Sequence, residues 1–463
     1  MTPTDETLLI VGAGVSGCAL AAQLRCQGWR GPIRMLEAGR GLGGRAASRP
    51  DRQDPGWRLD HGAPFLNLRG AEPPALLQPL LQAGRLRSWP PPATGNSDGN
   101  SDGNSDGSGD ESGDGIPALR QLEADGRLSE EPGALASEGR LYRGWPAMGD
   151  LAAGMLELAE QACRPGGPAA GAPAVERLHG RRVERVDRRE GLWRLGTADG
   201  TPLAQGHWLV LSGTLLAHPR CRELLGCDQV PLEVVNKQLQ DPGLTRALRA
   251  IAGLRYDPRL ALLLRLEADQ ARAWRALPFR HLWLSAAARR RWGLERIVLQ
   301  PLADGRCGVV AHARPADLVD CGRLASDQIQ GGTRITATTS NGSGTATEAA
   351  ANADAAAGVG GNQLGDEAER QITALSDALL EALAPWLTPA DLPPLGGRQR
   401  MLWGGAFPQP PGLDPESMVV TACRLALCGD FLAGEGFGRI EGAWRSGEWL
   451  AQRLLPLLSG SRG

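Results

Sequence analysis

Apolar positions come in two periods along this chain, and their order separates a strand–helix unit at the start from a strand-rich middle. Leu8–Val11 is a four-residue apolar run ending in Gly12-Ala13-Gly14-Val15-Ser16-Gly17. Cys18, Ala19, Ala21, Ala22 and Leu24 then continue as a small-residue helix to about Gln27, where Gly28 serves as the stop. Ile33–Leu36 reads as a second buried strand with Glu37 at its end. Trp145–Cys163 carries Met148, Leu151, Ala152, Met155, Leu156 and Ala159 at helical spacing. Val183–Val186, Leu192–Leu195 and His207–Leu211 predict a three-strand meander. Leu260–Leu266, His281–Leu284, Ile297–Pro301 and Gly308–His312 predict the antiparallel sheet of a second domain, and Ala368–Trp386 predicts a helix through Ile372, Leu375, Leu379, Leu380 and Leu383. Near the C-terminus, Leu425–Cys428 is a short strand running into Gly429-Asp430, and Gly442–Leu455 is a helix with Ala443, Trp444, Leu450 and Leu454 near one face.

The length of 463 residues allows two or three domains with sizeable cores. The net charge of −2 is uneven. Residues 94–115, which repeat NSDG, hold six carboxylates and no basic residue, and residues 330–365 are rich in Gly, Ala, Thr and Asn. Without these two stretches the rest of the chain is about +5, almost wholly from arginine, since Lys237 is the only lysine. The four-residue spacing of the aspartates does not match a calcium loop, so the acidic stretch reads as a solvated linker. The positive balance has no basic clustering that would call for nucleic acid. Nine cysteines form no CxxC pair and no metal spacing with the six histidines, so reduced thiols in a cytoplasmic protein and no metal site are expected. There is no charged n-region followed by an apolar h-region, and no apolar run long enough for a membrane span.

Gly12, Gly14 and Gly17, between a strand and a helix, have the spacing of a dinucleotide-binding turn. The first glycine permits the turn, the second lets the backbone approach a pyrophosphate, and the third lets helix and strand pack closely. Val15 and Ser16 would present their amides at the helix N-terminus. Glu37, at the end of the second strand, is placed to accept ribose hydroxyls. NAD and FAD share this turn. What separates them is the run Glu37-Ala38-Gly39-Arg40-Gly41-Leu42-Gly43-Gly44-Arg45, a second glycine-rich loop with arginines suited to wrapping the longer FAD and pairing with its phosphates.

With GAGVSG, EAGRGLGGR, the LDHGAPFL segment Leu59–Leu66 and LCGDFLAGEGFGRIEGAWRSGEWLA from Leu427 to Ala451, the chain resembles the amine-oxidase superfamily of FAD oxidoreductases. The form RGxGGR at Arg40–Arg45 is most similar to its renalase-like branch. The resemblance covers both ends and more loosely the middle, and leaves out the two biased stretches. It implies non-covalent FAD on Gly12, Gly14, Val15, Ser16, Gly17, Glu37, Ala38, Arg40, Gly44, Arg45, Gly62, Ala63, Val183, Gly429, Asp430, Glu441, Gly442 and Ala443. Within that set Asp430 would accept from a ribityl or ribose hydroxyl, and the backbone of Glu441–Ala443 would aim a helix N-terminus at the flavin. His61 is either an acid/base or a hydrogen-bonding residue in a packed turn, which Asp60 would anchor. Trp403 either walls a pocket over the flavin or packs a core.

The implied architecture is α/β: a Rossmann-type FAD-binding domain with a second α+β substrate domain built on an antiparallel sheet. Residues 1–75, 141–218 and 412–463 would form the FAD-binding domain, and 76–140 and 219–411 the substrate domain, interrupted by the linker 94–115 and a low-complexity insertion at 330–365. The implied activity is hydride removal from a reduced nitrogen-containing small molecule to flavin N5, with molecular oxygen as acceptor. Two other readings stay open: a desaturase or isomerase on an apolar substrate, and a flavin-binding protein without catalysis.

Overall fold

Strand order in the main sheet sets the architecture. The computed structural model describes residues 6–50, 54, 56–89, 119–129, 139–324, 334–337 and 361–459, with side chains in the last segment from 367. The stretch 94–115 lies outside them. The chain divides into two units: unit 1 comprises residues 1–87, 139–256 and 407–463, and unit 2 residues 88–138 and 257–406.

Unit 1 is built on a six-stranded sheet. Its order is Glu176–His179, β2 (Ile33–Glu37), β1 (Leu8–Val11), Trp208–Leu211, Leu425–Leu427 and Val419–Val420, all parallel except the last. Alternate residues serve two cores. Leu8, Ile10, Trp208, Val210 and Ala426 face helices on one side, while Leu9, Leu209, Leu211, Leu425 and Leu427 face the other, which explains why these strands read as unbroken apolar runs. On the first side lie α1 (Val15–Cys26), the helix Asp150–Cys163 and the C-terminal helix Ile440–Ser459. The alanines of α1 are needed because it is buried on nearly every face. At Gly447 a side chain would overlap the carbonyl of Ser16, so the C-terminal helix sits directly on α1.

The second side of the sheet departs from the sequence expectation. The meander there is Arg185–Arg189, Leu192–Gly196 and Pro202–Gly206, and the expected third strand, His207–Leu211, instead pairs in parallel with β1. The chain also stays in unit 1 beyond residue 218. Helices Pro231–Leu239 and Pro242–Ala252 bury Leu232, Val235, Leu244, Ala247, Leu248 and Ile251 in the same core as Val186 and Trp193 of the meander. The second of these helices is capped by Asp241, whose carboxylate accepts the Leu244 N–H, and its buried stripe Leu244, Ala247, Leu248 and Ile251 has the helical spacing i, i+3, i+4, i+7.

Unit 2 contains an eight-stranded sheet in the order Arg334–Ala337, Arg398–Pro408, Tyr256–Leu266, Cys307–Ala313, Leu294–Pro301, His281–Leu284, Leu119–Leu122 and Leu128–Ser129. Tyr256–Leu266 and Leu294–Pro301 run antiparallel to Cys307–Ala313, as do His281–Leu284 to Leu294–Pro301, Arg334–Ala337 to Arg398–Pro408 and Leu119–Leu122 to Leu128–Ser129, whereas His281–Leu284 and Leu119–Leu122 are parallel. Leu262, Leu264, Ile297, Leu299, Val309 and Ala311 form its core with Trp274, Phe279 and the buried stripe Ile372, Leu375, Leu379 and Leu383. The stretch 330–365, expected as an insertion, contributes the edge strand Arg334–Ala337 and the start of the helix Gly361–Ala382.

Candidate functional site

In unit 1 the strands after β1 are added on one side and then, from Trp208, on the other. The carboxyl ends of β1 and Trp208–Leu211 therefore flank the point where strand order reverses, which is where open α/β sheets bind ligands. The glycine turn leaves from that point. Gly12 has φ +102°, its N–H donates to Leu36 O at 2.7 Å, and a Cβ would come to 2.5 Å from Ser212 Oγ. Ser212 in turn donates to Gly12 O at 2.7 Å. A Cβ at Gly17 would overlap Gly12 O. Gly14, by contrast, starts α1 with no side-chain cap, and a Cβ there would meet nothing within 4 Å. Gly12 and Gly17 close the turn against the protein, whereas Gly14 faces open space beside the amides of the first helical turn, Val15 and Ser16.

The second glycine loop is joined to the first. Gly43 N–H donates to Ala13 O at 2.9 Å, Gly14 and Gly43 form a parallel bridge, and a Cβ at Gly44 would lie 3.4 Å from Gly14 Cα. Glu37 ties them from below: Oε2 accepts from Ala13 N–H at 2.8 Å and Oε1 from Gly39 N–H at 2.7 Å. Ala38 and Arg40 are exposed, and Arg40 makes no ion pair among the described residues. Val183 precedes the strand that begins at Arg185, correcting the expected strand Val183–Val186; it is buried with Leu36 and Trp193. Its chain nevertheless runs beside the acidic corner, because Arg181 N–H donates to Glu37 O at 2.9 Å.

The structure gives several of the expected residues partners within the protein. Arg45 and Asp430, expected on phosphate and on a ribityl or ribose hydroxyl, form a bidentate pair with each other at 2.7 and 2.5 Å. Burial works against the Arg45 charge, but the adjacent carboxylate outweighs it and raises the guanidinium pKa. Gly429 N–H donates to Ser446 Oγ at 2.9 Å, locking the loop that carries Asp430 to the C-terminal helix. That helix starts at Ile440, two residues before the expected Gly442. The amides of Gly442 and Ala443, expected to face a flavin, donate to Gly436 O and Arg439 O at 3.1 Å each. The Glu441 side chain is fully buried and accepts from Arg69 N–H at 3.0 Å, Gly70 N–H at 2.9 Å and Arg445 Nε at 3.0 Å, so it anchors a turn.

His61 is buried on the segment that docks on Arg45: Ala63 N–H donates to Arg45 O at 3.0 Å, and a Cβ at Gly62 would overlap the same oxygen. Asp60 anchors this turn, accepting from Ser48 Oγ at 2.5 Å and Met148 N–H at 3.0 Å. Burial pushes the His61 pKa down to about 4, against a smaller opposing effect of its hydrogen bond to Leu59, so the ring is neutral at pH 7. An unfolded chain takes up that proton near pH 6.5, so the stability from His61 is complete above this pH and is lost as the pH falls toward 4, by about 3 kcal/mol. Denaturant midpoints at pH 7 and pH 4.5 should therefore fall further for the native sequence than for His61→Gln; equal falls would refute it.

Trp403 is half-buried on the strand Arg398–Pro408 and belongs to unit 2, whereas the glycine loops, Glu37, His61 and Asp430 belong to unit 1. Lys237 is exposed on the helix Pro231–Leu239 and donates to Gln229. All nine cysteines are free thiols. Among the described residues no group of His, Cys, Asp or Glu could hold a metal ion, and no helix is long and apolar enough to cross a membrane. Sequence reasoning missed Ser212 and Gly447, whose roles depend on contacts with Gly12 and Ser16 far away in sequence.

The family of NAD(P)-binding Rossmann-like domains matches residues 10–77, the segment holding both glycine loops. No curated protein sequence gives a match. Among solved structures, cyclohexylamine oxidase from Brevibacterium oxydans IH-35A is similar with a TM-score of 0.57 at 12% identity, covering 98% of this chain and 100% of that one. A candidate protoporphyrinogen oxidase from Exiguobacterium sp. 255-15 has a TM-score of 0.52 at 12% identity, covering 98% and 99%. A putrescine oxidase variant from a redesign of cofactor binding also has a TM-score of 0.52, at 11% identity, covering 98% and 99%. The chain thus shares the whole fold of these oxidases, with a Rossmann-like dinucleotide unit and a second unit on a largely antiparallel sheet.

Proposed function

We propose that the protein is an FAD-dependent oxidoreductase of the amine-oxidase superfamily, in its renalase-like branch, that removes a hydride from a reduced, nitrogen-containing small molecule and passes the electrons to oxygen. The observation that carries this reading is the bridge between Gly14 and Gly43, which stacks a second glycine loop on the first and extends the phosphate cradle beyond what a nicotinamide cofactor needs. The oxidases of similar fold agree with it. The free thiols suit a reducing cytoplasm.

The residues present fit the cofactor. Gly14 leaves room for a phosphate against the amides of α1, whose dipole favours negative charge. Glu37 keeps acceptor capacity beyond its two backbone donors and would hold ribose hydroxyls. Arg45, held by Asp430, would set a cation at the phosphates. His61, neutral and buried, can exchange a hydrogen bond without bringing a charge into the site. When bound, FAD supplies a two-electron acceptor at N5, so the protein needs no nucleophile of its own.

The purified chain should be yellow with bound FAD, and some member of an anaerobic panel of amines and reduced nicotinamides should bleach it. Bleaching by none of them would leave a flavin-binding protein and overturn the oxidoreductase reading.

A further inference from the structure

Beside the Arg45–Asp430 pair lies a second cationic element that the glycine motifs do not include. Leu211 and Leu427 are paired in adjacent parallel strands, and Cys428 N–H donates to Leu211 O at 3.0 Å, so the segments leading to Thr214 and Asp430 leave the sheet from neighbouring strands. Thr214 Oγ1 lies 2.7 Å from the hydroxyl of Tyr256. The guanidinium of Arg220 sits over the Tyr256 ring, 4.6 Å from its centroid, and His218 meets the same ring edge-on at 5.8 Å. His218 is fixed in turn through Nε2 to Leu254 O at 3.0 Å and through Nδ1, which accepts the Arg220 N–H at 3.0 Å.

This arrangement holds a charge without neutralising it. Arg220 is half-buried and makes no ion pair among the described residues; Glu223 acts on it only weakly, less than burial, Tyr256 and Arg45 do. Burial lowers the Arg220 pKa, and the positive charge of Arg45 lowers it further, so the two guanidiniums share one electrostatic environment. Burial raises the Tyr256 pKa and lowers that of His218, so both rings are neutral at pH 7. Asp430 thus pairs directly with Arg45, whereas Arg220 makes no such ion pair among the described residues. A cation kept on an aromatic face with no carboxylate partner is available to an anion.

We propose that Arg220, seated on Tyr256, is a second cationic contact for the diphosphate of the dinucleotide, acting with Arg45. The proposal rests on the dinucleotide reading above and adds Arg220, Tyr256 and Thr214 to the binding machinery. Asp430 already offsets the charge of Arg45, and Arg220 supplies a positive charge that Asp430 does not pair. Thr214 and His218 act as positioning residues, through Tyr256.

The test uses the full chain stripped of cofactor and titrated by calorimetry with ADP, FAD and riboflavin, which separate the diphosphate from the ring. Arg220→Gln should weaken ADP and FAD tenfold to hundredfold and leave riboflavin unchanged. Arg220→Lys should recover part of the loss. Tyr256→Leu, which unseats Arg220, should weaken ADP and FAD about as much as Arg220→Gln, whereas Tyr256→Phe, which keeps the ring and loses only the Thr214 contact, should weaken them less; this ordering would stand even if Arg220→Gln folded poorly. Unchanged ADP and FAD binding in both Arg220→Gln and Tyr256→Leu, with tight binding by the native chain, would overturn the proposal and leave the dinucleotide reading standing. An equal loss for riboflavin would place Arg220 at the ring and also overturn it. If the native chain bound neither ADP nor FAD, the underlying reading would itself fail.

Discussion

Gly14→Val is expected to abolish cofactor binding while sparing the fold. A Cβ at Gly14 meets no protein atom within 4 Å, so the protein leaves room there for a side chain to start. Its methyl groups, however, would occupy the space through which a phosphate reaches the amides at the start of α1. Charge-assisted hydrogen bonds of that kind contribute roughly 1.5–3 kcal/mol each, so losing two of them weakens FAD by about a hundredfold or more. The cost to stability is limited to the poorer helix start, about 1 kcal/mol. Gly17→Val should do the reverse: its side chain would collide with Gly12 O, and the turn itself would be lost. Flavin content after purification and thermal melts of the two variants separate these effects. A Gly14→Val protein that keeps its flavin would mean that no phosphate approaches this glycine.

The largest expected loss of stability away from the glycines comes from Glu441→Ala. Its fully buried carboxylate is the acceptor for the N–H groups of Arg69 and Gly70 and for the Arg445 guanidinium. Removing it leaves two amides without their acceptor and a cation without one of its partners, which costs about 3 kcal/mol or more. Denaturant unfolding of unit 1 should shift accordingly, with Glu441→Gln in between because its amide oxygen still accepts. Flavin affinity in whatever protein folds should be nearly unchanged. If Glu441→Ala melted like the native chain and lost only its flavin, this carboxylate would be a cofactor contact and its anchoring role would be wrong.

These two residues also mark how far the sequence could be read. Gly12, Gly14, Gly17, Glu37 and Gly44 are legible because their chemistry is local: strand, turn, helix and strand follow within forty residues, and each glycine answers a constraint set by its neighbours. The parallel sheet is legible as apolar runs because both of its faces are covered. Asp430 is legible as a strand-end residue, but its partner Arg45 lies 385 positions away, and no spacing rule announces such a pair. Glu441 has the same difficulty. It stands in a motif that points toward a cofactor, while its partners at Arg69 and Gly70 lie in a turn with no pattern of its own. The helix Pro242–Ala252 is legible as well, in the spacing of Leu244, Ala247, Leu248 and Ile251, whereas the sheet that His207–Leu211 joins is not, because a strand's hydrophobicity does not name its neighbour.

The central claim is that the joined glycine loops of unit 1 hold FAD and not a nicotinamide dinucleotide. Titrating the cofactor-stripped chain in parallel with FAD, NAD and NADP, followed by flavin fluorescence and calorimetry, tests it directly. The account predicts one FAD bound per chain, at submicromolar concentration, with no saturable binding of either nicotinamide at this site. Saturable binding of NAD or NADP with none of FAD would contradict it.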